Sequence, residues 1–275
     1  DQILKKFHGN FEKGNIVKHK NNDLRPSIET LMHAIIPHSY VFHSHAIDII
    51  SLTLRKNSEE LFEEILNDID YELIPYIKPG YNLAKEISKS LKPKKHHVFI
   101  LENHGLIVSG DNAAKTIKFQ KLILNLVKQK VRKISCPSTD ILLPILEKNY
   151  EFRLPKNSNL HLFATDPFLY KLVCQNPPCP DNLIFCGKQP LLIDFWEDQE
   201  IKVKDFHRYV VIKNFGLILP KKTSKTTEEM LEALLQIYLR LEDFNIKLLN
   251  DKDCHELLNW SQEKYRMESN KIKLK

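Results

Sequence analysis

Glycine is scarce in this sequence, at seven of 275 residues. None of the seven stands in a G-x-G-x-x-G fingerprint, a Walker loop or a G-x-S-x-G elbow. These motifs need glycine because the backbone must approach a phosphate closely or turn sharply. The sequence therefore predicts neither a dinucleotide-binding domain nor a P-loop, and we expect no dehydrogenase half.

Long apolar runs and a regular cysteine pattern are also missing. No run of about 18 apolar residues occurs, so we expect no transmembrane helix, and Asp1–Lys6 does not resemble a signal peptide. The five cysteines are an odd number, which favours reduced thiols in a cytoplasmic protein. Cys174, Cys179 and Cys186 do not have zinc-ribbon spacing, and we interpret them as core or turn residues.

The chain carries a mild positive charge, +6 at pH 7 from 41 basic and 35 acidic residues. Basic clusters such as residues 92–95 are not interleaved with aromatic side chains, as binders of single-stranded nucleic acid require. The lysines are typical of a solvated surface, and we expect neither a nucleic-acid partner nor a membrane. This positive charge would suit an anionic small substrate, but it does not identify the substrate.

Strand-like and helical segments alternate along the chain. Segment 97–101 has strand character, and segment 112–132 has the spacing of a long amphipathic helix. Such alternation predicts a layered α/β fold. Cys136–Ser138 reads as a boundary, so we predict a metal-site lobe over 1–133 and a second α/β lobe over 134–275.

One six-residue pattern occurs twice. Asn103-His104-Gly105-Leu106-Ile107-Val108 recurs as Asn214-Phe215-Gly216-Leu217-Ile218-Leu219, each time after an apolar strand and before a turn and a long helix. The pattern indicates that the second lobe is a degenerate repeat, with Phe215 in place of His104. Chance similarity over six residues is the alternative.

Three predictions concern single elements. Segment 183–186 is apolar and predicts a strand, whereas 227–249 has helical spacing and Thr226 as its N-cap. Ser27 is predicted to cap a helix that contains Glu29 in its first turn, where the helix macrodipole favours an acid.

The strongest local signal is His43-Ser44-His45. In a strand the side chains at i and i+2 project from one face, so these two imidazoles can bind one ion. His104 ends a strand at a tight turn and is the natural third ligand. Three histidines leave one coordination position open, as in catalytic zinc sites. An incidental polar face is the alternative for the His-x-His pair.

Other histidines receive a structural interpretation. His33 and His38 fit a helix and turn surface, and the adjacent His96 and His97 point to opposite faces of a strand. We expect none of the four to bind metal.

The motifs resemble a known family. Residues 25–33 (RPSIETLMH), 41–46 (VFHSHA), 75–84 (PYIKPGYNLA) and 102–110 (ENHGLIVSG) stand in the order and spacing of the class II aldolase/adducin family. The sequence is most similar to the aldolase part of bifunctional rhamnulose-phosphate aldolase/alcohol dehydrogenases. The resemblance is close over about 25–133 and looser over about 179–240.

This resemblance implies an α/β/α class II aldolase-like fold and metal-dependent aldol cleavage of a ketose 1-phosphate into dihydroxyacetone phosphate and an aldehyde. It implies that His43, His45 and His104 bind zinc or another divalent transition metal. Glu29 would be the proton-transferring carboxylate, and Ser27 would contact the phosphate. A homotetramer with active sites at subunit contacts is also implied.

The sequence departs from the family before Arg25, where the chain is too short for both phosphate-cradling loops. His8-Gly9-Asn10 is a poor substitute for them. A fragment and a divergent member with another ligand both explain this departure. A non-catalytic, adducin-like binding or assembly module, or an epimerase or decarboxylase on the same metal site, therefore remain alternatives to the aldolase.

Overall fold

The computed structural model confirms an α/β fold with two four-stranded sheets. The chain forms two compact units, one running to Lys128 and including Trp260, the other covering Gln129–Asn259. In the described part of the chain, no helix is long and apolar enough to cross a membrane. The described residues are 27–93, 95–197, 200–261 and 263–264.

The first unit has a mixed sheet with the order β1-β4-β3-β2. Strand β4 runs antiparallel to β1 and β3, and β2 runs parallel to β3. In chain order its elements are α1 (Thr30–Ile35), β1 (Tyr40–Ser44), α2 (Ile47–Thr53), α3 (Ser58–Ile65), β2 (Glu72–Ile74), α4 (Tyr81–Lys89), β3 (His96–Leu101), β4 (Gly105–Gly110) and α5 (Ala113–Leu126).

Helices cover both faces of this sheet, and alternate residues of β3 separate two cores. Val98 and Ile100 pack in one core with residues of α2, α3 and α5. Phe99 and Leu101 pack in the other with residues of α1 and α4. A sheet buried on both faces explains why β3 and β4 are continuous apolar runs instead of alternating ones. The first unit is therefore a three-layer α/β/α arrangement.

The second unit has the sheet order β5-β8-β7-β6. Strand β8 is antiparallel to β5 and β7, and β6 is parallel to β7. Its helices and strands are α6 (Leu143–Lys148), β5 (Phe152–Arg153), α7 (Leu162–Thr165), α8 (Pro167–Val173), α9 (Pro180–Cys186), β6 (Leu191–Ile193), β7 (Val210–Ile212), β8 (Gly216–Pro220), α10 (Lys225–Tyr238) and α11 (Asp251–Asn259), with short 3-10 helices at Asp140–Leu142 and Ser158–His161.

The prediction of a strand over 183–186 is wrong, because these residues belong to α9. Pro180 occupies the first turn, where its missing N–H costs no hydrogen bond. Residues 182–186 are buried throughout, and a short apolar run in a buried helix cannot be distinguished from a buried strand by periodicity.

Two helices end earlier than predicted. Helix α5 ends at Leu126, before 132, and α10 ends at Tyr238, before 249. The Arg132 N–H donates to the Leu239 carbonyl, so this backbone oxygen has a partner distant in sequence at the point where α10 stops. The N-cap of α10 is Ser224, whose side chain accepts from the Thr227 N–H, and not Thr226.

A buried ion pair joins β5 to the first turn of α10. The Arg153 guanidinium lies 2.8 Å from the Glu228 carboxylate, whose side chain is only 5% exposed. The Lys156 backbone N–H donates to the other carboxylate oxygen. Burial raises the pKa of Glu228, but the contacts with Arg153 and Lys156 outweigh burial and hold the pKa below its usual value.

We expect Arg153→Met to lower the free energy of unfolding by about 1–3 kcal/mol at pH 7, because a buried carboxylate loses its charged partner. Glu228 has a lowered native pKa, so its contribution is present above the unfolded-state pKa of about 4.3 and is lost as the pH falls through the native pKa. Urea unfolding should be measured at pH 7 and at an acidic pH below the native pKa of Glu228. The loss of unfolding free energy caused by Arg153→Met should be smaller at the acidic pH. Lys225→Met, which removes a surface ion pair with Glu229, is the control and should change little. An equal defect at both pH values would contradict this role.

Candidate metal centre

Four side chains from three places in the first unit meet at one end of its sheet. Glu29 stands at the N-cap position of α1. His43 lies in β1 and His45 follows its last residue, whereas His104 lies in the turn between β3 and β4. Because β1 pairs with β4, with His43 opposite Ile107, the end of β1 lies beside that turn. We call Glu29, His43, His45 and His104 the His/Glu cluster.

The β3–β4 turn holds His104 through unusual backbone angles. Asn103 adopts φ 55°, a left-handed conformation that asparagine tolerates better than most residues. The next residue is Gly105, where an added Cβ would collide with the Ser44 carbonyl oxygen. Glycine is therefore needed for the close approach of this turn to the end of β1, which brings His104 next to His43 and His45.

The ligand atoms of the cluster converge on one point. Glu29 Oε1 lies 3.3 Å from His43 Nε2, 3.5 Å from His45 Nε2 and 3.4 Å from His104 Nε2. His43 Nε2 and His45 Nε2 are 2.9 Å apart. Nitrogens bound at about 2.0–2.1 Å to a tetrahedral ion would lie about 3.3–3.4 Å apart. Small side-chain adjustments would therefore place the imidazoles around a single ion.

A hydrogen bond orients His43 for this role. His43 Nδ1 lies 3.1 Å from the Leu106 carbonyl oxygen, which can only accept, so Nδ1 carries the proton. With Nδ1 committed to this hydrogen bond, Nε2 faces the cluster as the potential metal ligand. Metal-binding histidines are commonly fixed in this manner, with the second ring nitrogen bonded to a carbonyl or carboxylate.

Burial differs across the cluster. The side chains of His43 and His104 are 5% and 6% exposed, whereas those of Glu29 and His45 are 27% and 31% exposed. The open side of the cluster thus lies at Glu29 and His45. A small molecule can reach the cluster from that side.

The electrostatics favour a neutral His104 and an ionised Glu29. Burial lowers the pKa of His104 to about 4, although Glu29 opposes this shift. Burial acts to raise the pKa of Glu29, but His104, His43 and His45 together hold the pKa well below its usual range. A metal site needs deprotonated ligands, and both groups satisfy that requirement at neutral pH.

Among the described residues, this is the single group of three or more His, Cys, Asp or Glu side chains spaced to hold a metal ion. His96 and His38 lie at the opposite end of the sheet, where they contact the Ser109 carbonyl and hydroxyl respectively. Cys179 and Cys186 are buried, and neither belongs to such a group.

His33 lies closer to the cluster than its sequence position suggested. Its ring is 6.5 Å from that of His43, centroid to centroid, in an edge-on arrangement. Burial lowers the pKa of His33, and His43 adds to this effect. The signal in the sequence is the spacing of four residues after Glu29, which places both on one side of α1.

Ser27 is exposed beside Glu29. Helix α1 begins at Thr30 with Glu29 in the N-cap position, so the prediction of Ser27 as N-cap is wrong by two residues. The Ser27 hydroxyl nevertheless accepts from the Glu29 N–H at 3.2 Å and fixes the backbone that carries the carboxylate. Arg25 and Pro26 of the same motif, and His8–Asn10, lie outside the described residues.

Comparison with known proteins agrees with the family resemblance of the motifs. Residues 7–130 match the family model described as the class II aldolase and adducin N-terminal domain. This part of the chain, somewhat less than half of its length, is similar to the class II aldolase and adducin N-terminal domain. All four residues of the His/Glu cluster fall within the matched class II aldolase segment.

Two individual proteins are each similar to part of this chain. An uncharacterised oxidoreductase of Bacillus subtilis, YuxG, is 36% identical over 90 residues, which cover 32% of this chain and 13% of that protein. The structure of the N-terminal class II aldolase domain of a Thermoplasma acidophilum protein is 33% identical, with a TM-score of 0.35, and covers 38% of this chain and 48% of that one. This chain thus matches a minor part of its curated relative.

Proposed function

We propose that this protein is a zinc-dependent aldolase that cleaves a ketose 1-phosphate to dihydroxyacetone phosphate and an aldehyde. The observation that carries the proposal is the convergence of three imidazole nitrogens and one carboxylate on a single point, inside a class II aldolase domain. A partly exposed carboxylate beside three imidazoles suits a metal centre that performs chemistry.

The ligand set favours zinc. His43, His45 and His104 supply three nitrogen ligands, which is the number that leaves a tetrahedral ion one position for substrate. Imidazole also binds cobalt, nickel and iron, so other divalent transition metals can replace zinc at lower preference. Without the ion, three imidazoles this close together would contribute little to stability.

Bound zinc would supply Lewis-acid polarisation of the substrate carbonyl and stabilise the negative charge that develops as the carbon–carbon bond breaks. Glu29 is the group that moves a proton. Its carboxylate is ionised, it lies at the open side of the cluster, and one oxygen is within 3.5 Å of all three imidazoles. Such a carboxylate can take the proton from the substrate hydroxyl and return it to carbon.

Ser27 is proposed to contact the substrate phosphate, as the family resemblance implies. The hydroxyl is exposed and two residues from Glu29, so a bound group could reach both. The net charge of +6 suits an anionic substrate.

The function is tested by assaying cleavage of a panel of ketose 1-phosphates, with dihydroxyacetone phosphate as the detected product. Protein treated with a chelator and then restored with zinc serves as the control. Activity that is lost and regained in this cycle supports the proposal. A zinc-loaded protein that cleaves none of the panel would contradict it.

The proposal extends to a homotetramer, which the family resemblance implies. Helix α5 exposes Leu122 and Leu126, at 49% and 45%, more apolar surface than a solvated helix needs. Light scattering at micromolar concentration should report an assembly, and a monomer would contradict this part of the proposal.

A further inference from the structure

The two units share more than their strand order. In each sheet the last strand in sequence, β4 or β8, lies between two antiparallel neighbours. The outer strand on one side, β2 or β6, pairs in parallel with β3 or β7. Each last strand leads to a helix of 14 residues. The N-cap side chain, Asn112 for α5 and Ser224 for α10, accepts a hydrogen bond from the backbone N–H three residues ahead.

The turns before these strands also match in backbone conformation. Asn103 and Asn214 have φ angles of 55° and 66°, and Gly105 and Gly216 have φ angles of 159° and 152°. Asn103 and Asn214 are the only non-glycine residues with positive φ in the described part of the chain. Chance similarity of six sequence letters would not reproduce these angles at the same place in two sheets.

A third match lies before the first strand of each sheet. The sequence Ser27-Ile28-Glu29-Thr30-Leu31 corresponds to Ser138-Thr139-Asp140-Ile141-Leu142. In both segments the serine hydroxyl accepts the N–H of the acidic residue at 3.2 Å. The second unit therefore retains the local structure that carries Glu29, with Asp140 in its place.

Strand register then gives the counterparts of the metal ligands. Aligning Gly105 with Gly216 pairs Val108 with Leu219. Phe42 is opposite Val108, and Arg153 is opposite Leu219. The pairing of β5 with β8 ends at Arg153, and counting onward in sequence from this pair matches His43 with Leu154 and His45 with Lys156. The spacing agrees, since 14 residues separate both Glu29 from His43 and Asp140 from Leu154.

We infer that the second unit is a copy of the class II aldolase-like unit whose metal position has lost its ligands. Leu154, Lys156 and Phe215 stand where the first unit has His43, His45 and His104. Leu154 and Phe215 pack against the apolar core of the second sheet, and Lys156 is an exposed lysine whose backbone N–H bonds to Glu228. None of the three side chains is a metal ligand at neutral pH. The described residues therefore offer one metal position, in the first unit.

Restoring the ligands tests this inference. We would substitute L154H, K156H and F215H in a chain that already carries His43→Ala and His104→Ala, so that the first site cannot contribute. The expected result is a gain of one equivalent of Co²⁺, with the visible absorption of a tetrahedral nitrogen-bound ion, over a parent that binds none. Success or failure here is independent of the proposed aldolase activity, which the parent lacks.

The matched control replaces Leu154, Lys156 and Phe215 by asparagine in the same parent, which adds polar groups of similar size without imidazoles. Binding in the histidine variant and none in the control supports the inference. If the triple histidine variant does not fold, the K156H and F215H pair, which keeps half-buried Leu154, takes its place with the matching asparagine pair as control, and should bind Co²⁺ more weakly than three imidazoles but more than that control. A folded variant that binds no more Co²⁺ than its asparagine control would overturn the inference.

Discussion

Replacing Glu29 by glutamine is expected to lower turnover by about two to four powers of ten, the usual weight of general acid–base catalysis. The amide keeps the volume of the side chain and can still contact the imidazoles, but it cannot take a proton. The three histidines remain, so metal content should stay close to that of the unmodified protein. Steady-state kinetics and elemental analysis of the same preparation measure both quantities.

The control for this variant is Glu86→Gln in α4, which removes the same charge from a surface pair with Lys89. It should leave turnover unchanged. A purely structural Glu29 at the start of α1 would give the opposite pattern, a loss of about 0.3–1 kcal/mol of stability with turnover retained. That outcome would favour the adducin-like binding module over the enzyme.

Replacing His104 by alanine is expected to abolish tight metal binding, because two imidazoles cannot hold the ion as three do. His104 is 5% exposed, so the substitution also leaves a cavity. The stability difference between the unmodified protein and His104→Ala should be larger with zinc than without it. Zinc binds only the native state and so stabilises the unmodified protein, but it no longer does so in the variant. Thermal unfolding with and without zinc separates the two effects.

His96→Ala is the matched control, because His96 lies in the same sheet but at its opposite end, opposite Gly110. The zinc-dependent rise in melting temperature should persist in this variant and vanish in His104→Ala. If His104→Ala retained both the metal and the zinc-dependent rise, the assignment of His104 as a ligand would be wrong.

The sequence predicted the convergence of His43, His45 and His104 better than it predicted the elements around them. The His-Ser-His triplet predicts that both imidazoles project from one face of a strand, because side chains in a strand alternate with a period of two residues. The meeting of His104 with this pair depends on the pairing of β1 with β4, which alternation alone does not specify. Glu29 was identified only through the family resemblance, since an acid at the start of a helix is ordinary.

The errors have long-range causes. Helix α10 stops where the Leu239 carbonyl bonds to Arg132, a contact that no local window contains. Segment 183–186 lies in α9, where residues 182–186 are all buried, and this burial removes the periodicity that would distinguish a helix from a strand. The spacing of four residues after Glu29 places His33 on the same side of α1 as Glu29, but its proximity to His43 also depends on the packing of α1 against the sheet.

The metal content of the purified chain tests the central claim most directly. Elemental analysis after mild dialysis without chelators should find about one divalent transition metal per chain, zinc before others, because the described residues hold one set of three converging imidazoles. Protein that folds, remains intact and contains no metal under these conditions, even after incubation with zinc, would contradict the account.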